Sequence, residues 1–453
     1  MAIKQVSYIP DPALKQTSKK VALFDEKLKN LIQDMIDTMR QKNGVGLSAC
    51  QIGVSKKVVV IEYNPANSEE EKIPLTILIN PKITNFSKET EIADEGCISV
   101  PGVELPVERA LKITVLAQDI EGKRFRLRTS GLFARVIQHE LDHLNGELFI
   151  EKAKVKLPFK ESADLIFFGT PDFAVPVLEL FNSNPLFKVK AVVTESDKPA
   201  GRGMETKFSP IKKFALDNDI EVLQPIFIRP KKDGTGEKEA QDFINKIKEL
   251  NPDFCLVASY GKIIPKNVLE IPKYGFINIH PSLLPKYRGA TPLQSTILNG
   301  DHIGGITIIK MDEGMDTGPI IAQAEIELPS NIDMPRLSDE MANIGAELAL
   351  YSTFRYITGL TKPHSQKGEP TLTSMIKKED GYVNLETDDP VLIERKIRAY
   401  KLWPEVYTKL NNKIIKITAV HLEDGNLIID SVKPEGKREM DYKSYLLGNQ
   451  PLV

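Results

Sequence analysis

The apolar pattern of this 453-residue chain breaks twice, and the two breaks limit what it can fold into. A chain of that length exceeds one ordinary hydrophobic core, so two or three domains are expected. Between positions 151 and 163 lysines and a proline replace the periodic residues, and a Lys/Pro/Ser/Gln/Gly-containing stretch interrupts the pattern again at 361–370. The chain therefore reads as a domain at 1–152, a linker at 153–163, a domain at 164–362, a linker at 363–371 and a small domain at 372–453.

The first domain reads as α+β. Leu28, Leu31, Ile32, Met35, Ile36 and Met39 recur in helical steps over 24–41, and strands are expected at 58–62, 75–79 and 111–118. A second helix is expected from about 132 to 145, with Ser130 as N-cap and Gly146 as the terminating glycine. After the first break, strand-like runs at 165–168, 189–194, 222–224, 254–258 and 276–280 alternate with helices. That order implies a multidomain protein whose second part is an α/β, Rossmann-like domain built on a parallel sheet. Short strands at 414–420 and 427–432 mark the last domain as a small β structure.

Hydrophobic content of 41% and charged content of 27% are those of a soluble globular protein. Three scattered cysteines give no disulfide framework and suit a reducing compartment. The N-terminus has no apolar signal region, and no stretch approaches the roughly 18 apolar residues of a membrane span. The expected location is the cytoplasm, with no membrane partner. A net charge of −2 gives no pointer to nucleic acid.

The sharpest motif is HELDH at 139–143, on the second helix. His139 and His143 are four residues apart, just over one turn, so both imidazoles project from one face and can share a metal. A catalytic metal needs a third protein ligand. Glu161 lies downstream in the apparent linker; Cys97, within EGCIS at 95–99, lies upstream and is the better candidate. The glycine-rich GVGLSACQ at 44–51 lets backbone approach a substrate and ends in an amide donor, Gln51.

In that order, GVGLSACQ, EGCIS and HELDH resemble the three motifs of the peptide deformylase family, as do PDPALK at 10–15 and IQDMIDTM at 32–39. The resemblance covers roughly 1–152. It implies Cys97, His139 and His143 as metal ligands and Glu140 as general acid–base. Gln51 and the Ile98 N–H would stabilise the oxyanion, with Gly46 also in the catalytic set. The implied ion is Fe²⁺, with Zn²⁺, Ni²⁺ or Co²⁺ as substitutes, and the implied substrates are formylmethionyl peptides, including those at the ribosome. The family more often has Ala at Ser48 and a small residue or Pro at Cys50, and Cys50 raises a question of local reactivity.

In GFINIHPSLLP at 275–285, Asn278 and His280 are two apart on a strand and share a face at its C-terminal end, where open parallel sheets bind ligands. Asp316, in MDTGP at 315–319, offers a carboxylate. With YRGA at 287–290 these motifs resemble formyltransferases that use 10-formyltetrahydrofolate. The resemblance implies Asn278 and a protonated His280 steadying an oxyanion, with Asp316 orienting and charging the imidazole. It also implies folate contacts at Ser282, Leu283, Leu284, Pro285, Tyr260 and Gly261.

FGTPDFAVPVL at 168–178, SDKPAGRG at 196–203, and IRAY and WPE at 397–400 and 403–405 resemble the methionyl-tRNA formyltransferase family over 164–453. The implied acceptor is initiator methionyl-tRNA, with Arg202 and Lys207 as RNA contacts and the last domain an OB-like β-barrel. Acids and bases nearly balance over 384–453, where such a barrel would be expected to be basic. The alternatives are a zinc endopeptidase in the first third, and a second half that formylates a small amine such as a nucleotide-linked amino sugar or only binds folate or RNA.

Overall fold

The computed structural model describes residues 3–8, 11–65, 72–155, 162–200, 205–411 and 413–452. The chain divides into two compact units that meet in sequence between Ser162 and Ala163; three residues of the second stretch, Asn184–Leu186, group with the first unit.

The first unit is built on a five-stranded antiparallel sheet ordered Gly46–Ser48, Val58–Tyr63, Ile73–Phe86, Lys112–Gln118, Arg124–Ser130. The run VVVI explains its layering, because successive side chains of a strand face opposite ways. Val58 and Val60 pack under the helix Glu26–Gln41, with Leu28, Ile32, Met35 and Met39. Val59 and Ile61 pack under the helix Gly131–Leu144, with Ala134, Ile137 and Leu144. Both faces are thus covered, and each fully buried aliphatic side chain contributes about 1.5–3 kcal/mol. Asp25 caps the first helix by accepting from the Leu28 N–H at 3.0 Å. Ser130 stands at the expected N-cap of the second helix but makes no side-chain cap bond, and Gly131 turns the chain with φ +59°. Gly146 ends that helix with φ +78°, and a Cβ there would lie 2.5 Å from the Lys15 carbonyl oxygen.

A long hairpin, Thr90–Cys97 against Val100–Ala110, completes the unit. Its first strand, TEIADEGC, is mostly charged and small and carries no apolar alternation to be read from sequence. The short helix Phe149–Lys152 ends the expected first domain, just before the stretch expected as the first linker. Glu161 lies outside the described residues, as does Pro10 of the PDPALK motif.

The second unit contains a seven-stranded sheet ordered Glu221–Leu223, Phe187–Val193, Ala163–Gly169, Phe254–Ala258, Phe276–His280, Ile303–Lys310, Ile320–Glu327. The first five strands are parallel and the last two antiparallel. The sequence reading found the parallel strands but not the antiparallel pair. Gly304 and Gly305 weaken the first of these as a strand signal, yet the packing requires them: a Cβ on Gly305 would lie 2.3 Å from the Ala324 carbonyl oxygen. The helix Met334–Ile357 packs against the helix Val175–Ser183 and the antiparallel strands. A four-stranded antiparallel sheet, Val406–Leu410, Lys413–Glu423, Asn426–Pro434 and Met440–Asp441, forms the C-terminal part, with the helix Pro390–Ala399 against it.

Candidate active sites

In the first unit the helix Gly131–Leu144 and the hairpin are locked together by buried polar contacts. Gln138 accepts from the Ala110 N–H at 3.1 Å and donates to the Ala110 carbonyl at 2.9 Å. Arg109 grips Glu95 through two bonds of 2.9 and 2.8 Å and reaches Asp142 on the helix at 2.6 Å. Arg135 donates to Glu95 and to the Val107 carbonyl, both at 2.9 Å. Burial alone would raise the Glu95 carboxyl, but its bonds to Arg109 and His139 outweigh burial and hold it down to about 2.

This network aims the metal donors. Glu95 Oε2 lies 3.1 Å from His139 Nδ1, which directs Nε2 of the ring inward. His143 Nε2 lies 3.1 Å from Cys97 Sγ, and the donor atoms of Cys97, His139 and His143 all fall within 4.8 Å of one another. His143 Nδ1 is buried and without a partner among the described residues. Burial opposes charge on His139, yet the Cys97 sulfur and Glu95 draw its proton affinity up to about 10, whereas burial and His139 push His143 well down. The pocket thus pulls positive charge into a buried place, and two imidazoles with one thiolate fit a divalent transition metal.

Glu140, buried beside these donors, has its carboxyl raised by burial against the opposing pull of His139 and Ser48. The Ser48 hydroxyl lies 2.6 Å from its Oε2. Gly46 makes room for that carboxylate, since a Cβ there would sit 2.5 Å from Glu140 Oε1. Gln51 accepts from the Ser48 N–H at 2.7 Å, and its amide donates to Ser99 Oγ at 3.2 Å and faces Cys97 Sγ at 3.6 Å. A cavity of about 360 Å³ opens over these groups, walled by Val45, Ile98, Leu132 and Val136. The Cys50 thiol, buried and 3.4 Å from the His143 carbonyl, is pushed up to about 12 by burial, which disfavours the reactive thiolate.

In the second unit Asn278 and His280 lie at the carboxyl end of Phe276–His280, both at most 9% exposed. Asn278 Nδ2 lies 3.4 Å from Asp316 Oδ1, and His280 Nδ1 lies 3.6 Å from Asp316 Oδ2. Asp316 adopts φ +53° and accepts from the Gly289 N–H at 2.8 Å. His280 Nε2 lies 3.0 Å from the Tyr287 carbonyl, so this nitrogen carries the hydrogen. Burial lowers the His280 pKa, and Asp316 and the Tyr287 carbonyl offset this only in part, which favours the neutral ring over the protonated one expected from sequence.

Family comparisons divide the chain at the same place. Residues 3–157 match the polypeptide deformylase family, 163–352 the formyl transferase family, and 375–426 the formyl transferase C-terminal domain. The methionyl-tRNA formyltransferase of Thermodesulfovibrio yellowstonii is 39% identical over 311 residues, covering 64% of this chain and 97% of that protein. The chain belongs to the methionyl-tRNA formyltransferase family. Its counterpart in Caldicellulosiruptor saccharolyticus is 35% identical over 63% of this chain and 96% of its own length. Among solved structures, the chain is similar to a peptide deformylase from Synechococcus elongatus in complex with actinonin. There the identity is 40%, over 34% of this chain and 80% of that one, with a TM-score of 0.31. One polypeptide therefore joins a metal-dependent peptide deformylase to a methionyl-tRNA formyltransferase.

The structure brings together all of the expected deformylase residues, and Asn278, His280 and Asp316 of the formyltransferase. The expected folate contacts are more varied. Ser282 is buried with its hydroxyl donating to the Lys286 carbonyl at 2.6 Å, and Leu284 packs with Ile309 and Ile320, so both side chains build the loop. Leu283 and Pro285 are partly exposed. Tyr260 is 2% exposed, packs edge-on against Phe168, and its hydroxyl has no partner among the described residues; Gly261 follows with φ +85°. A cavity of about 740 Å³ opens beside Thr170, Glu195 and Phe208, and Asn278, His280 and Asp316 do not line it. Arg202 lies outside the described residues; Lys207 lies in a short strand paired with Lys198.

Two contributors escaped the sequence reading. Glu95 stands two residues before Cys97 in the same short motif, a signal that could have flagged it. Gln366, inside the stretch expected as the second linker, donates to the carbonyls of Asp316 and Gly318 at 2.8 Å each and accepts from Arg288 at 2.6 Å. Thr371 in the same stretch accepts from the Tyr287 N–H at 2.7 Å, so 363–371 is fastened to the catalytic loops.

Proposed function

We propose that deformylation uses a divalent metal held by Cys97, His139 and His143, with Glu140 as general acid–base, and that formyl transfer uses Asn278, His280 and Asp316. The observation carrying the first assignment is the convergence of three ligating atoms from a hairpin and a helix within 4.8 Å, one of them oriented by a buried carboxylate. Fe²⁺ is the proposed ion, and Zn²⁺, Ni²⁺ and Co²⁺ suit the same donors. When bound, the metal supplies a Lewis acid that polarises the formyl oxygen and lowers the pKa of water towards about 7. Glu140 takes the proton from the attacking water and returns it to the leaving amine, giving formate and a free N-terminus. Ser48 orients that carboxylate, Gln51 and the Ile98 N–H donate to the developing oxyanion, and the apolar walls take the methionine side chain.

For formyl transfer the methionyl amine attacks the formyl carbon of 10-formyltetrahydrofolate, and the bond from that carbon to the folate nitrogen breaks. Neutral His280 accepts the amine proton at Nδ1, Asp316 stabilises the imidazolium so formed, and the proton passes to the departing folate nitrogen. Asn278, with one amide hydrogen towards Asp316, has its second for the oxyanion. The 282–285 loop, Tyr260 and Gly261 are the proposed folate surroundings, and Arg202 and Lys207 the proposed RNA contacts. The C-terminal sheet is proposed to be an OB-like barrel; bulges between Lys413–Glu423 and Asn426–Pro434 supply the curvature closure needs. Domain limits of 1–152, 164–362 and 372–453 belong to the same proposal, with the cytoplasm as the location.

The metal assignment is tested on the full chain by metal analysis after dialysis. Cys97→Ala and His143→Ala should each lose the stoichiometric metal that wild type keeps, while formylation of methionyl-tRNA is unchanged. Full metal retention in both variants contradicts the ligand set. Asn278→Ala should lower kcat for formylation by about 10²–10³ without affecting deformylation.

A further inference from the structure

A groove of about 980 Å³ crosses the first unit, bordered by Gln138, Leu141, Asp142 and Asn145. These residues form one stripe of the helix Gly131–Leu144 and its C-cap, apart from the stripe through Leu132, Arg135, Val136 and His139 that borders the catalytic cavity. The acids of the groove are already matched. Glu108 pairs with Lys154, Asp142 with Arg109 at 2.6 Å and with Lys152, and Glu147 with Lys152 at 2.7 Å. Four of its cations are not: Lys20, Lys57, Lys82 and Arg124 line the groove with no ion pair among the described residues. Arg124 opens the edge strand Arg124–Ser130, on which Arg126 and Arg128 follow on the same exposed face, also without ion pairs among the described residues. Their repeat is about 6.8 Å. Between these charges stand two exposed apolar side chains, Phe86 at 55% and Leu116 at 40%.

We propose that this groove binds the sugar–phosphate backbone of the tRNA that the second unit formylates, an inference that rests on the methionyl-tRNA reading of that unit. A compact anion needs a few convergent donors; a row of unmatched cations along a groove and a strand fits an extended polyanion. An exposed aromatic ring among them suits a ribose or an unstacked base. The distribution of charge points the same way. Acids outnumber bases over 163–453, whereas lysines and arginines outnumber acids over 1–162. The unit with formyltransferase chemistry must meet a polyanion, and the net positive charge, +2 over 1–162, lies in the other unit.

The test compares the full-length chain with a Lys20→Gln, Lys82→Gln, Arg124→Gln variant; all three positions are exposed and none touches the deformylase donors. Filter binding of initiator tRNA is measured from low to high salt. The expected result is a log–log salt slope shallower by about 2–3 and, near physiological salt, a KM for methionyl-tRNA raised about tenfold with kcat unchanged. Deformylation of a formylated tripeptide stays at the wild-type rate, which reports intact folding. An unchanged slope and KM overturn the proposal. So does a variant that binds ribosomes more weakly but formylates tRNA normally, since ribosomal RNA is then the occupant. Should wild type yield no formylated tRNA, the formyltransferase reading fails on that arm, while the salt slope still decides the groove.

Discussion

At the residue scale, both sites depend on groups that hold other groups. Glu95 fixes the ring of His139 and is itself held by two arginines. Glu95→Gln should weaken metal retention about 10–100-fold, read by chelator competition; unchanged retention would remove Glu95 from the design. Gly46→Ala places a methyl 2.5 Å from Glu140 Oε1, so deformylation should fall sharply while formylation persists. For His280 the sign follows from burial. Its folded pKa lies below the ordinary value of 6.5, so the ring is neutral at pH 7 and above. His280 should therefore let formyl transfer hold as pH falls to about 6.5 and lose it only as pH drops through the depressed pKa. The linked stability, present above 6.5, is lost over the same acidic range. A kcat profile that already falls from pH 8 to 7 would contradict a neutral base. Sequence alone made Cys97, His139, Glu140 and His143 legible, because helical spacing and local motifs encode them. Glu95 and Gln366 act through partners distant in sequence, Arg109 and Arg135 for one and Arg288 for the other, and spacing does not encode such pairings.

At the element scale, chemistry is placed by strands and helices that are continuous in sequence, and those were the elements most readily read. The helix Glu26–Gln41 repeats its apolar positions cleanly, and Phe254–Ala258 and Phe276–His280 are uninterrupted buried runs. The strand Ile303–Lys310 was opaque because paired glycines dilute its pattern, yet it supports the loop at 282–285. Thr307 on that strand donates to the Ser282 carbonyl at 2.6 Å and accepts from the Leu284 N–H at 3.1 Å and from Gln323 at 2.8 Å. Thr307→Val leaves these groups buried and unmatched. It should cost about 1–3 kcal/mol in denaturant unfolding of the second unit and raise the KM for the formyl donor. Wild-type stability would show that the loop does not lean on this hydroxyl. The stretch 363–371 carries the same lesson. Its composition reads as a linker, but Gln366 and Thr371 fasten it to Arg288, Tyr287 and Asp316. Polar residues that satisfy backbone groups of another segment have the composition of a loop in solvent.

At the scale of the whole molecule, one chain adds and removes the same formyl group. The two units have separate cores and separate catalytic residues, so their activities should be separable. A strong chelator should abolish formate release from formylated peptides and leave formylation of methionyl-tRNA intact. Loss of both would place the metal in a shared role. The net charge of −2 divides as +2 over 1–162 and −4 over 163–453. The most direct test of two independent enzymes in one polypeptide is a paired assay on the iron-loaded full-length chain. It follows formate release from a formyl-Met tripeptide and formyl transfer from 10-formyltetrahydrofolate to methionyl-tRNA in wild type, Glu140→Ala and His280→Ala. Glu140→Ala should lose only deformylation and His280→Ala only formylation. Loss of both activities in either correctly folded variant, or retention of the targeted one, would contradict the account.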